Sequence, residues 1–479
     1  MNEKHYTTAP EDRIPLGQKI AFGAGMLGNQ MFPAALAIFM VVLVKGLGMD
    51  PILWGLLFFL PRLFDALTDP IMGFLSDNTN SQWGRRRPYV FIGAIIAGTF
   101  YMIMWQVYPE NSEAFNFTYF LLTSIVFYLG LTIFSTPYVA MGYEMSNDFH
   151  ERTRLMAVAQ WIGQWAWVIV PWFWVMIYDP DIFATPDAGA RTLSIWVGLF
   201  CLCLAIVPAL FCKTQPVDPD HILKLTRVNF GENLGKFFQG FVQAFKNKAF
   251  VKLCIATFFV FNAFNTVAGF SFFIIVYYMN AGDAAVAGTW PAWFGSISAL
   301  CTTFLVIPVI TFISQRIGKR NTFLLAQMIS LVGYAMFWWC FQPENPQMMF
   351  LPLPLFAFGI GSLFTLMMSM TADVCDLDEL NTGTRTEGTF AAIYWWMVKF
   401  GFAIAGLLSG LILKLVGFDQ DVAVQTPEAL SGLRLAYILV PITGTLIAMA
   451  VMSRYDLSEQ KAHEIRLELE TRRGVRAVS

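Results

Sequence analysis

The chain has 479 residues, of which 56% are hydrophobic and 13% are charged, and its formal net charge is −2. This composition, with a positive mean hydropathy of +0.56, excludes an ordinary soluble domain and predicts a helical protein with many membrane spans. The nearly balanced charge gives no support to nucleic-acid binding. The sequence contains neither a P-loop nor a GxSxG elbow, and all four histidines lie outside the apolar segments. We therefore predict a protein that is not an enzyme and holds no cofactor.

Reading along the chain, about 12 apolar segments have the roughly 20 residues that a helix needs to cross a bilayer. They begin near Ile20, Ile52, Tyr89, Phe117, Leu155, Ile195, Val251, Pro291, Thr322, Met348, Ala391 and Leu433. The longest polar interruption separates the first six segments from the last six. Two six-helix halves are the layout of transporters whose substrate site lies between the halves, near the middle of the membrane. We therefore predict an all-α membrane protein with 12 transmembrane helices in two six-helix halves.

The predicted organisation follows from these segments. It has a cytoplasmic N-terminus at 1–19, a first half at 20–212, a cytoplasmic linker at 213–248, a second half at 249–453 and a cytoplasmic tail at 454–479. Most of the 31 Lys and Arg residues fall on one side of the membrane in this arrangement, and cytoplasmic loops hold an excess of such residues. We therefore predict a multi-pass protein of the bacterial inner membrane with both termini in the cytoplasm.

The second apolar segment carries one arginine and two carboxylates, in the run PRLFDALTDP at 61–70. Arg62, Asp65 and Asp69 are spaced i, i+3 and i+7, so a helix places them on one face. Ionisable groups at membrane depth are costly and usually line an ion or substrate pathway. With Thr68 beside them, the two carboxylates offer oxygen ligands to a small cation, or a place for a proton.

A purely structural interpretation of the same residues is an ion-pair cluster, in which Arg62 and Lys399 neutralise Asp65 and Asp69. The two interpretations are compatible. A carboxylate that exchanges a lysine for a cation gives the cation different affinities for two conformations, which is what coupling requires.

Charged residues also mark the predicted cytoplasmic ends of the helices. In the first half, Asp77 precedes the run WGRRRP at 83–88, which contains Arg85, Arg86 and Arg87. These arginines are explained either by membrane topology alone or by a gate, in which they and Asp77 tie helix ends together in one conformation. The second half carries a comparable set of charges, which consists of Asp373, Asp376, Glu379, Arg385 and Glu387. We expect this set to form a cytoplasmic network too shallow for a substrate site.

The motifs of the two halves together resemble the glycoside-pentoside-hexuronide:cation symporter family, the melibiose permease-like branch of the major facilitator superfamily. The first half carries DALTDPIMG at 65–73 and WGRRRP at 83–88, and the second half carries TAD at 371–373 and KFG at 399–401. The resemblance extends through both halves. It implies the major facilitator fold and symport of a sugar or glycoside with Na⁺ or H⁺.

The resemblance also implies a cation site. Asp65 and Asp69 match the second-helix aspartates that bind Na⁺, Li⁺ or H⁺ in the family. Thr132 falls at a fourth-helix threonine that assists this site, and Lys399 matches an eleventh-helix lysine near it. The expected cation-binding residues are Asp65, Asp69, Thr68 and Thr132, with Arg62 and Lys399 as charge partners.

The sugar-binding positions of the family are changed in this chain. Gln30, Ser135, Val139 and Gln160 stand where the melibiose permease holds its galactoside with carboxylates, a tryptophan and an arginine. Polar amides can still bind sugar hydroxyls, and indole rings can pack on a sugar face. The expected substrate-binding residues are Asn29, Gln30, Ser135, Gln160, Gln164, Trp161 and Trp395.

We therefore predict a secondary active transporter, a cation:sugar symporter that works by alternating access, acts as a monomer among membrane lipids and has no nucleic-acid partner. One alternative is a cation-coupled carrier of lysophospholipid or another amphiphile, because lysophospholipid symporters resemble the same family. A second alternative is a membrane sensor that does not transport. The sequence leaves open which sugar is carried and whether Na⁺ or H⁺ is the coupling ion.

Overall fold

The computed structural model describes residues 13–77, 79, 81–145, 149–213, 231, 235, 242–382, 387–419, 422, 424–457 and 459–472. Within these ranges the secondary structure is helical and contains no strand. The chain divides into two compact units. The first unit is Met1–Met49 with Leu60–Arg227, and the second is Asp50–Phe59 with Val228–Ser479. The predicted all-α fold is confirmed.

The described part of the first half forms seven helices. They are α1 (Leu16–Lys45), α2 (Pro51–Asp77), α3 (Arg87–Met104), α4 (Glu113–Glu144), α5 (Phe149–Ile169), α6 (Pro171–Tyr178) and α7 (Pro186–Phe211). Helix α4 starts where the Ser112 hydroxyl accepts a hydrogen bond from the amide of Phe115. Helices α3 and α4 pack closely because Gly93 lacks a side chain: a Cβ there would lie 2.3 Å from the backbone nitrogen of Phe134.

The predicted fifth span consists of two helices, α5 and α6. Eleven other segments of the described chain are long and apolar enough to cross a membrane. Helix α5 is not among them, because it carries charged residues near its start and polar residues such as Gln160 and Gln164 further along. The break falls before Pro171, which cannot donate the backbone hydrogen bond that would continue α5. The twelve predicted spans are thus eleven apolar segments and one polar, interrupted segment.

The described part of the second unit adds ten further α-helices, three π-helical segments and a short 3₁₀ helix at Pro346–Phe350. The α-helices are α8 (Lys248–Phe273), α9 (Ala284–Ala287), α10 (Trp290–Leu300), α11 (Ile307–Ile317), α12 (Lys319–Cys340), α13 (Leu353–Ser362), α14 (Met368–Thr382), α15 (Glu387–Leu415), α16 (Pro427–Met452) and α17 (Glu459–Arg472). The π-helical segments are Ile274–Met279, Cys301–Val306 and Leu363–Met367. Each of them continues a membrane-spanning helix.

Two features of the second unit differ from a simple six-helix bundle. The start of α2, which clusters with this unit, packs tightly on α15: a Cβ at Gly410 would lie 2.1 Å from the carbonyl oxygen of Pro51. The predicted tail at 454–479 contains α17, which buries Ile465 and Leu469 and packs on α14. The predicted boundaries of the terminus, linker and tail stay predictions, because many of their residues lie outside the described ranges.

Both units tie the start of one helix to the end of another in the same way. In the first unit, Arg87 at the start of α3 donates to the carbonyl oxygens of Ala209 and Leu210, at the end of α7. In the second unit, Arg320 at the start of α12 donates to the carbonyl oxygen of Ser453, just after α16. Each arginine thereby satisfies carbonyl groups that a helix end leaves without an intrahelical partner.

The opposite ends of these helices are also tied alike. Arg191 in α7 donates to the carbonyl oxygen of Val107, just after α3, at 2.9 Å. Arg434 in α16 donates to the carbonyl oxygen of Trp338, near the end of α12, at 2.7 Å. The duplication that the sequence indicated only by the number of spans is therefore visible in equivalent hydrogen bonds.

Candidate cation and substrate site

The first unit brings the predicted carboxylates of α2 against a row of hydroxyl groups on α4. The Thr132 hydroxyl donates to Oδ1 of Asp65, and the Thr136 hydroxyl donates to Oδ1 of Asp69 at 3.4 Å. The two aspartates and the two threonines are each four residues apart, so they form successive contacts between neighbouring helix faces. The Thr68 hydroxyl lies 3.5 Å from that of Thr132 and donates to the backbone oxygen of Asp65 at 3.0 Å.

A cation of the protein lies one turn before these carboxylates. Arg62 is 7% exposed, and its guanidinium carbon lies 5.8 Å from the centre of the Tyr128 ring. Tyr128 is four residues before Thr132, so this contact continues the same row along α4. Asp65 is 4% exposed, whereas Asp69 is only half-buried. The site therefore has a closed end at Arg62 and a more open end at Asp69.

The chemistry of this arrangement is that of oxygen ligands. Two carboxylates and three hydroxyls suit Na⁺ or a proton, whereas transition metals favour nitrogen and sulfur ligands. Within the described residues, no group of three or more His, Cys, Asp and Glu side chains is placed to hold a metal ion.

Among the predicted substrate residues, α1 and α5 contribute a hydrogen-bonded group. Gln30 Nε2 donates to Gln160 Oε1 at 3.3 Å, and Gln30 Oε1 accepts from the indole nitrogen of Trp167 at 2.9 Å. Asn29, Gln164 and Ser135 are partly buried on α1, α5 and α4. Trp161 is 55% exposed and packs edge-on against Trp165.

Two predicted members of the site belong to the second unit. Lys399 and Trp395 both lie on α15, where Lys399 is half-buried and Trp395 is exposed. The predicted pairing of Lys399 with the carboxylates of α2 stays a prediction.

The predicted gate residues of the first unit form a cluster, with a partner that sequence analysis did not identify. Glu144, at the end of α4, binds Arg85 and Arg86, each at 2.5 Å. Arg86 also donates to the hydroxyl of Ser76 at 3.0 Å, whereas Arg87 binds the end of α7. The side chain of Asp77 lies outside the described residues, so its predicted part in this gate stays a prediction.

In the second unit, Asp373 pairs with Lys319 at 2.6 Å. Asp376 and Glu379 are half-buried along α14. Arg385 and the side chain of Glu387 lie outside the described residues. The pair between α12 and α14 corresponds to the Arg86–Glu144 pair between α3 and α4.

Sequence analysis also missed Thr136, Tyr128 and Trp167. A signal for Thr136 was present, because its spacing from Thr132 equals that of Asp69 from Asp65. No comparable signal pointed to Trp167 among the five tryptophans of its span.

Comparison with known proteins bears on this site. The family described as "MFS/sugar transport protein" matches residues 21–459. The chain belongs to this family. It is therefore a multi-pass membrane protein of the major facilitator type, as the resemblance to glycoside-pentoside-hexuronide:cation symporters predicted.

Relatives of this transporter are distant but cover nearly its whole length. A glucuronide carrier protein homolog of Escherichia coli (strain K12) is 25% identical over 458 residues, which are 95% of this chain and 96% of the relative. A putative glycoside/cation symporter of the same organism, YagG, is 23% identical over 467 residues, or 95% of each chain. These names confirm the predicted family.

Solved structures confirm the fold. A crystal structure of the nucleoside transporter NupG superposes with a TM-score of 0.62 at 15% identity, over 92% of this chain and 100% of that one. At this identity the similarity concerns the fold alone.

Proposed function

We propose that this transporter carries a sugar or glycoside into the cell together with Na⁺ or H⁺, by alternating access. The family and the names of the relatives support this class of function, and they favour neither the amphiphile carrier nor the sensor. The excess of Lys and Arg on one side supports an inner-membrane protein with both termini in the cytoplasm. We expect it to work as a monomer.

The observation that carries the proposal is the paired contact between α2 and α4. Asp65 and Asp69 accept hydrogen bonds from hydroxyl groups of α4 within an apolar segment, and ionisable groups at membrane depth usually line an ion or substrate pathway. A bound cation or proton neutralises this charge. Such a site is expected where the energy of an ion gradient is coupled to transport.

Coupling requires that the cation and the sugar bind one conformation better together than apart. If the cation raises the affinity for the sugar, the sugar must raise the affinity for the cation by the same factor. The hydroxyls of Thr132 and Thr136 connect the carboxylates to α4, which also carries Ser135. Through α4, a change at the cation site reaches a predicted substrate residue.

The proposal is tested by uptake into proteoliposomes with an imposed Na⁺ or H⁺ gradient, using labelled glycosides, hexuronides and lysophospholipid. We expect one gradient to drive accumulation of a sugar, and Asp69→Asn and Thr132→Val to reduce it strongly. The matched control is Thr123→Val, because Thr123 is also on α4 but donates only to carbonyl oxygens of its own helix.

Undiminished accumulation by Asp69→Asn would contradict the assignment of the cation site. Uptake of lysophospholipid without uptake of any sugar would favour the amphiphile carrier instead. Binding of a sugar with no flux would favour the sensor.

A further inference from the structure

Helices α1 and α5 carry a short chain of hydrogen bonds with a fixed direction. The Trp167 indole nitrogen donates to Gln30 Oε1 at 2.9 Å, and Gln30 Nε2 donates to Gln160 Oε1 at 3.3 Å. Two amides and one indole therefore form a sequence of donors and acceptors that begins at Trp167 and ends at Gln160.

The direction follows from the chemistry of the indole group. An indole nitrogen can only donate, whereas an amide side chain can turn to present either its oxygen or its NH₂ group. The oxygen of Gln30 must therefore face Trp167, which leaves its NH₂ group for Gln160. The oxygen of Gln160 must therefore accept the hydrogen bond from the NH₂ group of Gln30. The NH₂ group of Gln160 is then the end of the chain that remains for another molecule.

The position of Gln30 is further restricted by Gly163. This glycine lies on α5 between Gln160 and Trp167, and a Cβ on it would come within 2.8 Å of Gln30 Nε2. The missing side chain at this position makes room for the amide of Gln30. The chain of bonds thus depends on three positions of α5 that share one face, at spacings of three and four residues.

The end of this chain is suited to contact with a solute. Gln160 is exposed near the middle of the segment that α5 and α6 form across the membrane. An amide that faced lipid at this depth would lose its hydrogen bonds to water. Helix α5 is also not among the helices of the described chain that are apolar enough to cross a membrane by themselves. Both observations favour a position beside water and substrate.

We propose that Trp167 is a positioning residue that fixes the amides of Gln30 and Gln160, so that Gln160 offers N–H donors to an acceptor oxygen of the transported sugar. This inference rests on the proposed function and concerns its specificity. An acceptor oxygen on the sugar, such as that of a carboxylate, binds to Gln160 in this orientation. A sugar group that can only donate, such as an ammonium, is disfavoured.

Two aryl glycosides that differ at one position serve as probes. They are p-nitrophenyl β-glucuronide, with a carboxylate at C6, and p-nitrophenyl 6-amino-6-deoxy-β-glucoside, with an ammonium there. The quantity measured is the ratio of the two Kd values for the purified protein at constant Na⁺. We expect the unaltered protein to prefer the carboxylate about tenfold or more, as one charge-assisted hydrogen bond allows.

Three variants change the direction of the chain in different ways. Trp167→Phe removes the donor that orients Gln30, so the ratio should fall at least about threefold towards one. Gln30→Glu still accepts from Trp167 but cannot donate, so Gln160 should turn its NH₂ group inward and prefer the ammonium. Gln160→Glu replaces the donor by an acceptor and should also prefer the ammonium. The matched control is Trp196→Phe, because Trp196 lies on α7 and is 66% exposed.

A merely structural role of Trp167 would lower the melting temperature without changing the ratio of Kd values. If Trp167→Phe fails to fold, Gln30→Glu tests the same orientation without altering the indole. An unchanged ratio in Gln30→Glu, or no binding of either probe to the unaltered protein, overturns the inference. Uptake measured on the same preparations separates the two claims: if no glycoside accumulates, the proposed function fails, and if accumulation persists while the ratio stays fixed, only the inference fails.

Discussion

The two units share the ties that join their helix ends but differ in the charges that they carry at membrane depth. Arg87 and Arg320 bind the ends of equivalent helices, and Arg191 and Arg434 do so at the opposite ends. In contrast, the carboxylates of α2 have no equivalent in the second unit. The corresponding span, Trp290–Ile317, is fully described and contains no Asp or Glu.

This difference helps to distinguish charged residues that hold the helices together from charged residues that serve transport. A charge that occurs at the same place in both units serves what both units need, which is the joining of helix ends. A charge that occurs in one unit only, inside the membrane, must be explained by something that the other unit does not do. By this reasoning we expect Asp65 and Asp69 to be functional and the pair formed by Lys319 and Asp373 to be structural.

The units also differ in how their helices depart from regular geometry. In the described residues, the π-helical segments occur only in the second unit, within three of its spans. The first unit instead interrupts a span at Pro171. Both devices leave backbone groups without regular partners, and both are frequent near functional sites. The two units therefore create irregular backbone by different means.

The largest effect is expected from the unrepeated carboxylates. Asp65→Asn should reduce gradient-driven sugar accumulation to background, because the buried carboxylate provides the charge that the cation neutralises. Asp373→Asn should leave accumulation within a few-fold of the unaltered protein. Both are measured in proteoliposomes at equal protein content. An equal loss of sugar accumulation in the two variants would contradict the assignment of different roles to Asp65 and Asp373.

A smaller effect, on the free energy of unfolding, is expected when the contacts between Glu151 and the start of the chain are weakened. Glu151 is 1% exposed and binds Lys19 at 2.5 Å and the amide of Ile14 at 3.0 Å. In the second unit, Lys252 instead pairs with Asp456, whose side chain is 77% exposed. Glu151→Gln should cost about 2 kcal/mol of stability, since charged hydrogen bonds contribute about that much. Asp456→Asn should not change the melting temperature measurably.

The same pair of residues predicts a dependence on pH. Burial raises the pKa of Glu151, but hydrogen bonds from Lys19 and Ile14 outweigh it, so the pKa is lower than usual. The stability contributed by Glu151 is therefore present above the ordinary carboxyl range and is lost as the pH falls through the lowered pKa. Melting curves of the unaltered protein and Glu151→Gln should converge at acidic pH. Parallel curves down to that range would contradict this.

A fourth prediction compares the equivalent ion pairs. Glu144 is 15% exposed and binds two arginines, whereas Lys319 and Asp373, which pair at 2.6 Å, are more exposed. Glu144→Gln should lower stability by about 1.5 kcal/mol. Lys319→Ala should cost about 1 kcal/mol or less, because solvent weakens exposed pairs. Melting temperatures in detergent measure the stability of both variants. A larger loss in Lys319→Ala than in Glu144→Gln would show that the two ion pairs do not stabilise their units in the same way.

The smallest effect is expected where the units are most similar. Arg434 donates to Trp338 and lies 4.1 Å from the ring centre of Tyr278, and Arg191 lies 4.5 Å from that of Tyr108. Arg434→Ala should cost about 1 kcal/mol, with contributions from the hydrogen bond and the cation–π contact. Arg191→Ala should cost at least as much, because Arg191 also pairs with Asp187 at 2.7 Å. Lowered melting temperatures in both variants would support the equivalence of the two contacts, whereas an effect in one variant alone would show that they are alike in geometry but not in energy.

The sequence predicted the fold well because membrane spans need long apolar segments, which are easily recognised. It also placed Asp65 and Asp69 correctly on one helix face, since their spacing is local. Contacts between helices were harder. The contact of Glu144 with Arg85 depends on how α4 packs on α3, and the contact of Trp167 with Gln30 depends on how α5 packs on α1. No alternation or spacing in the sequence predicts these contacts.

The polar, interrupted fifth span also has a consequence for biosynthesis. A segment with charged residues at its start and glutamines at its centre has little tendency to enter the bilayer by itself. The fifth span is hydrogen-bonded to the start of the chain at two places. Glu151 accepts from the amide of Ile14, just before α1, and Gln160 accepts from Gln30 in α1. We therefore expect stable insertion of the fifth span to depend on α1 remaining near the translocon while the three spans between them are synthesised.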